Sequence, residues 1–180
     1  VGDEALLYAE SGPTVVAANR IAGAKLLSKA GVDVILMDDG FQNPALHKDM
    51  SVVVIDSDTA WGNGLCFPAG PLRAPVDKQL RQASAVVVLG DGARLDAISA
   101  AAQRSQVDLF QGHIISEKLP DEAGGSRLLA YSGIGRPEKF FASLSDTGRL
   151  LVKTMPFPDH HLYSEADAEK ILGRCYALSA

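Results

Sequence analysis

The 180-residue sequence carries only two cysteines, Cys66 and Cys175, far apart and without C-x-x-C spacing. That scarcity excludes a disulfide scaffold and fits free thiols in a reducing compartment. No uninterrupted apolar run approaches the roughly 18 residues that a membrane-spanning helix needs, and no secretory signal pattern is visible. Positive charge is in the minority: 17 Lys and Arg stand against 22 Asp and Glu, for a formal net charge of −5. With no basic stripe, this balance argues against general nucleic-acid binding. A phosphate-binding loop is missing as well. No lysine follows a glycine, so the pattern G-x-x-x-x-G-K-[ST] cannot be written anywhere in the chain. Internal repeats and low-complexity segments are absent. The chain opens abruptly on Val1 rather than Met, and we expect a piece of a longer protein.

What is present reads as an ordinary globular α/β protein, 47% hydrophobic and 22% charged. A chain of this size buries roughly 70% of its extended surface, enough to fold without staples. Short apolar, β-branched runs alternate with helical patterns. Strands are expected at Thr14–Ala17, Val32–Asp38, Ser51–Asp56, Ala85–Leu89, Leu128–Tyr131 and Leu150–Met155, with Val107–Lys118 extended until Gly124-Gly125 breaks it. Asn19 is placed to cap a helix running to Lys29, with Ile21, Leu26 and Leu27 on one buried face and Gly31 as its stop. Further helices are expected at Val76–Ala83 and Arg94–Arg104. Pro137 opens another, with Phe140, Phe141 and Leu144 inward, and Ser164 with Asp167 resembles a capping box for the last. The alternation predicts a mostly parallel sheet of P-loop or Rossmann-like type, covered on both faces. We expect residues 1–118 to form its partial core and residues 119–180 a smaller C-terminal α/β lobe.

Ligands of open parallel sheets sit beyond the carboxyl ends of the strands. Three polar clusters are expected at such ends: Asp38-Asp39, Gly133-Ile134-Gly135, and Pro158-Asp159-His160-His161. Four apolar residues followed by Asp38 match a Walker B strand, whose acid holds Mg²⁺ directly or through water. An isolated D-D-G is equally a turn into Gly40 with solvated acids. His160 and His161, being adjacent, point different ways on regular structure, which disfavours one shared metal. Either can shuttle a proton near neutral pH, or simply satisfy a loop. His47 and His113 lie too far off to argue a third zinc ligand. Asp3-Glu4 is a second acidic pair, or a solvated terminus. The long Gly- and Pro-rich loop from Trp61 to Pro75 has the length of a functional loop, and Arg73 at its end has the reach for a phosphate. Gly90-Asp91-Gly92 reads as a turn.

Six motifs then carry a resemblance in order: VGDE (Val1–Glu4), DDGFQ (Asp38–Gln42), GNG (Gly62–Gly64), PAGPLR (Pro68–Arg73), SGIGRPEKFF (Ser132–Phe141) and FPDHHLY (Phe157–Tyr163). The sequence resembles the tetraacyldisaccharide 4′-kinases, the lipid A 4′-kinases of Gram-negative bacteria, over nearly its whole length. The resemblance implies a membrane-associated P-loop kinase that moves the γ-phosphate of ATP, with Mg²⁺, onto the 4′-hydroxyl of a lipid A disaccharide precursor. It implies work at the cytoplasmic face of the inner membrane, with no obligate protein partner. The P-loop and a membrane-associating helix would precede VGDE, so this piece alone is expected to be inactive. By motif, Asp3 is the expected base, assisted by a histidine of the DHH motif, His160 or His161. Asp38 and Asp39 are expected to organise nucleotide and metal, Glu4 to join the metal site, and Gln42 and Arg73 to contact the nucleotide. Two positions depart from the family pattern. Ala74 stands where many members carry Glu, and Asn43 where many carry His. Two other classes stay open: a non-catalytic Rossmann-like binding module, and a metal-dependent hydrolase using Asp38, Asp39 and His160.

Overall fold

Three of the apolar runs do become strands of one parallel sheet. A computed structural model describes residues 3–115 and 127–179, with only the backbone of Asp3 and Ser179. It divides into two compact units, the first ending at Ile114 and the second beginning at Ile115. The expected boundary between 118 and 119 lies outside the described residues.

The first unit opens with helices α1 (Asp3–Ser11) and α2 (Arg20–Lys29). It then alternates β1 (Val52–Asp56), α3 (Val76–Leu80), β2 (Ala85–Leu89), α4 (Leu95–Ser105) and β3 (Asp108–Gly112). The strands pair in parallel in the order β1-β2-β3, with Val53 opposite Val86 and Val86 opposite Leu109. One sheet face forms the core. Val86, Val88, Ile98 and Ala101 are wholly buried, and Leu80 and Ile55 nearly so. Each fully buried Val or Ile contributes on the order of 1.5–3 kcal/mol through apolar surface removed from water. Trp61 and Ala60, from the loop after β1, close the side of this core.

Several expectations fail here for one physical reason. The opposite row of the sheet, Val54 and Phe110, is 60% and 57% exposed, so described residues cover one face and not both. No strand forms at Thr14–Ala17 or at Val32–Asp38. An apolar β-branched run has strand propensity, but a strand exists only where a neighbour accepts its backbone hydrogen bonds. Among the described residues none does, and Val34 and Leu36 stand 73% and 90% exposed. Asp38-Asp39 therefore follows an irregular segment, not a strand end. The α2 face is corrected likewise: Gly23 is its one buried residue, while Ile21 and Leu26 are exposed. Asn19 does cap the helix, its side-chain oxygen accepting from the Ala22 N–H at 3.1 Å.

The second unit is a β-α-β hook with a final helix: β4 (Arg127–Ser132), α5 (Pro137–Ser145), β5 (Leu150–Pro156) and α6 (Glu165–Ser179). The strands pair in parallel from Arg127 opposite Leu150 to Ser132 opposite Pro156, with an irregularity at Leu128/Leu129. Two strands offer little surface to cover. Phe141 and Leu144 of α5 are half-buried, and Phe140 is exposed rather than inward.

Candidate functional site

Because Ser132 lies opposite Pro156, two of the three clusters expected at strand ends leave the sheet side by side. Backbone bonds then clamp them together. The Phe157 N–H donates to the Ser132 carbonyl at 2.8 Å, and the His160 N–H to the Gly133 carbonyl at 2.9 Å. The His161 N–H closes a turn onto Pro158 at 3.1 Å. His160 sits at φ +52°, a left-handed conformation uncommon for a non-glycine residue and held by this clamp. The close approach explains Gly133. A Cβ there would lie 3.0 Å from His161 Cβ and 3.2 Å from both the Pro158 carbonyl and the Tyr163 hydroxyl. At Gly135 it would meet the Asp159 carboxylate at 3.3 Å.

The two histidines are held differently. The His161 ring stacks on Phe157, centroids 4.8 Å apart at 28°, and meets Tyr163 edge-on at 5.1 Å. Tyr131 completes the cage, 5.4 Å from Tyr163. His161 Nε2 lies 3.1 Å from Asp167 Oδ2. The same oxygen accepts from the Ser164 N–H at 2.9 Å and the Ser164 hydroxyl at 2.7 Å, while the Asp167 N–H donates back to that hydroxyl at 3.2 Å. This is a capping box with Asp in place of Glu, and it carries a histidine as an extra partner. The Ser164 backbone and hydroxyl, then His161, hold the Asp167 carboxyl down to about 2. Burial, then the neighbouring Tyr131 and Asp167, push Tyr163 up. The His161 side chain thereby anchors the loop to α6, while the backbone of His160 is fixed by the Gly133 carbonyl.

In the first unit the glycine-rich loop is folded on itself. Asn63 accepts from the Leu65 N–H at 3.0 Å and donates to the Ala69 carbonyl at 2.9 Å. The Phe67 N–H reaches the Leu72 carbonyl at 2.8 Å. Gly62 and Gly64 adopt φ of +63° and +74°, conformations that disfavour any other residue. A Cβ on Gly70 would collide with Asn63 Oδ1 and the Leu65 carbonyl. The loop delivers Arg73, whose guanidinium donates to Gln42 Oε1 at 3.1 Å. Gln42 in turn donates to Gln79 at 2.9 Å, and Gln79 to the Ala74 carbonyl at 2.6 Å. Arg73 and Gln42, 31 residues apart, are thus brought together as one polar chain, with Gln79 a member that sequence reading missed.

Asp38 and Asp39 are exposed, Asp39 at φ +49°, and the Asn43 N–H bonds the Gly40 carbonyl to close the turn after them. Glu4 is exposed on α1. Asp3 begins α1, and its side chain, like Val1 and Gly2, lies outside the described residues. Among the described residues no three His, Cys, Asp or Glu side chains gather as a metal-binding group. One further network escaped sequence reading. Ser57, buried after β1, donates to the Leu89 carbonyl at 2.8 Å and accepts from the Gly92 N–H at 2.7 Å, so Gly90-Asp91-Gly92 is a turn stitched to the end of β1. The Asp-Ser-Asp following an apolar run was its only signal.

Comparison with known proteins identifies the family. The family profile described as LpxK, tetraacyldisaccharide-1-P 4′-kinase, matches residues 1–178. Similar proteins named tetraacyldisaccharide 4′-kinase include one from Methylobacterium radiotolerans, 50% identical over 91% of this chain and 49% of its own. Another, from Parvibaculum lavamentivorans, is 46% identical over 100% of this chain and 52% of its own. A crystal structure of LpxK from Aquifex aeolicus in complex with ATP shares the fold, with TM-score 0.62 and 27% identity over 91% of this chain and 54% of that one. The chain spans about half the length of the curated relatives it matches. It belongs to the tetraacyldisaccharide-1-P 4′-kinase family.

Proposed function

We propose that this chain works as part of an ATP-dependent kinase that phosphorylates the 4′-hydroxyl of a tetraacyldisaccharide 1-phosphate, at the cytoplasmic face of the inner membrane. One observation carries the reading: the DHH loop is clamped to the SGIG turn at the ends of two parallel strands, with His161 tied down and His160 held at φ +52°. That is the rigid presentation a proton-transfer group needs.

A sugar hydroxyl is a poor nucleophile until its proton has somewhere to go. Asp3 takes that proton, shared with His160, as the hydroxyl oxygen bonds to the γ-phosphorus. The bond from that phosphorus to the β–γ bridging oxygen breaks, and ADP leaves. Arg73, preset by Gln42, offers its guanidinium to the nucleotide phosphates. Asp38 and Asp39 fit Mg²⁺, because both are exposed oxygen donors and neither is engaged in an ion pair among the described residues. Magnesium needs only one or two protein carboxylates beside water and phosphates. When bound it would offset charge on the transferring phosphoryl group. Glu4 is a further oxygen donor for it.

The test is transfer of labelled γ-phosphate from ATP to the lipid disaccharide by the full-length protein. A 4′-phosphorylated product supports the reading. ATP turnover without acceptor phosphorylation, or no nucleotide dependence, overturns it.

A further inference from the structure

Arg73, Gln42 and Gln79 form a chain of hydrogen bonds whose direction is fixed at both ends. At one end is a guanidinium, which only donates; at the other is the Ala74 backbone carbonyl, which only accepts. Gln79 Nε2 donates to that carbonyl at 2.6 Å, so its amide oxygen is left to accept from Gln42 Nε2 at 2.9 Å. Gln42 must then turn its own oxygen to Arg73, and it does, at 3.1 Å from Nη1. Were either amide reversed, donor would face donor and acceptor would face acceptor. Gln79 is the rigid end of the chain. It is half-buried on α3, where its N–H donates to the Pro75 carbonyl at 3.1 Å and the next residue, Leu80, is buried in the core. Gln42 and Arg73 are exposed and come from loops. Charge is the second observation. The side chains that hold Arg73 are neutral amides, and among the described residues Arg73 makes no ion pair. The one acid of α3, Asp77, faces Arg104 instead, at 3.6 Å.

We propose that Gln79 is a positioning residue for Arg73: acting through the Gln42 amide, it aims the guanidinium and leaves its positive charge whole for a phosphate of the nucleotide. The proposal rests on the nucleotide role given to Arg73 above and adds the group that presets it. A carboxylate in place of the Gln42 amide would hold the arginine more firmly, since charge-assisted hydrogen bonds are roughly twice as strong as neutral ones. It would also compete with a phosphate for the same donors. The neutral chain avoids that conflict. An exposed arginine otherwise samples many rotamers, and ordering it on binding lowers affinity; here the ordering precedes binding. Gln42 alone does not supply it. An amide with no second partner is free to swing away from the guanidinium or to turn its NH2 toward it, and the bond to Gln79 removes both freedoms.

The experiment uses the full-length kinase, its Gln79→Leu, Gln79→Glu and Arg73→Ala variants, and two readouts. The first needs no nucleotide: the heteronuclear NOE of the Arg73 Nε–H group in protein carrying isotope-labelled arginine, the signal being assigned by its loss in Arg73→Ala. The wild type should show a restrained side chain, and Gln79→Leu the low value of a free surface arginine. The second readout is KM for each substrate. Gln79→Leu should raise KM for ATP by roughly threefold to tenfold, the scale of one neutral hydrogen bond, with KM for the acceptor and Tm kept. In the Arg73→Ala background it should add nothing, whereas a merely structural loss would persist there. Gln79→Glu keeps the length and the acceptor for Gln42 but has no donor for Ala74, so it should raise KM for ATP at least as much as Gln79→Leu. Should leucine distort α3 and lower Tm, the unbranched Gln79→Met takes its place in every comparison. An unchanged Arg73 NOE in Gln79→Leu overturns the proposal. So does a wild-type KM for ATP in Gln79→Leu or Gln79→Glu while Arg73→Ala raises it, or a Gln79→Leu loss undiminished in the Arg73→Ala background. A wild-type KM for ATP in Arg73→Ala, beside a lost restraint in Gln79→Leu, would refute the nucleotide role of Arg73 and leave Gln79 as its positioning residue, which is a separable result.

Discussion

Gly133→Ala isolates the contact on which the site depends. The residue has an ordinary φ, so alanine adds no backbone strain, and the whole effect is spatial. The new methyl would meet His161 Cβ at 3.0 Å and two oxygens at 3.2 Å, where carbon contacts are comfortable at about 3.5–4.0 Å. Two of those neighbours belong to the DHH loop itself, so relief comes by moving that loop several tenths of an ångström away from the SGIG turn. Overpacking of this kind costs about 1–3 kcal/mol. At this chain length each kcal/mol lowers Tm by about 2–4 °C. Catalysis should suffer more than stability, since a displacement of about 1 Å can cost on the order of 100-fold in rate. We therefore expect a kcat loss of roughly tenfold or more at temperatures where the variant stays folded. Gly173→Ala is the matched control. It lies on α6 with nothing within 4 Å of an added Cβ, and removing a helical glycine should stabilise by up to about 1 kcal/mol. The measurements are thermal melts and steady-state phosphoryl transfer by the full-length protein. Wild-type kcat and Tm in Gly133→Ala would refute the reasoning.

Three other outcomes follow from named contacts. Asp167 is held at about 2, below its ordinary 3.8, so its contribution to stability is present above the ordinary value and fades as pH falls from about 4 toward 2; Asp167→Asn should flatten the stability–pH curve in that window, as read by near-ultraviolet circular dichroism. Gly70→Ala should disorder the loop that sets Arg73 against Gln42, raising KM for ATP as well as lowering Tm; an unchanged KM would detach Arg73 from the nucleotide. Asp38→Asn and Asp39→Asn should each lower kcat at saturating Mg²⁺ by roughly 100-fold, the scale for losing a charge partner in the transition state; full turnover in both would leave them as turn residues.

Local signals in this sequence were readable, and signals that need a distant partner were not. Asn19 as a cap, Pro137 at a helix start and the Ser164–Asp167 box each act within one turn of chain, and each appears where expected. β1, β2, β4 and β5 were legible because they pair with one another in parallel. Val32–Asp38 has the same apolar, β-branched character as β2 but no pairing partner among the described residues, so composition alone misplaced it. In the site, the meeting of the SGIG and DHH motifs followed from both being placed at strand ends. The pairing of His161 with Asp167 did not, since a spacing of six residues signals nothing until the loop folds back on α6. Gln79, joined to Gln42 across 37 residues, was invisible for the same reason.

The central claim is that Asp3 and His160 act as one proton-accepting unit in phosphoryl transfer to the sugar. Its most direct test is a double-mutant cycle in the full-length kinase, with kcat/KM for the acceptor measured for wild type, Asp3→Ala, His160→Ala and the double variant. The account predicts that each single variant is severely impaired and that the double is little worse than the poorer single, as for residues that act as a unit. Losses that multiply fully would mean independent roles, and near-normal transfer by His160→Ala would contradict the account outright.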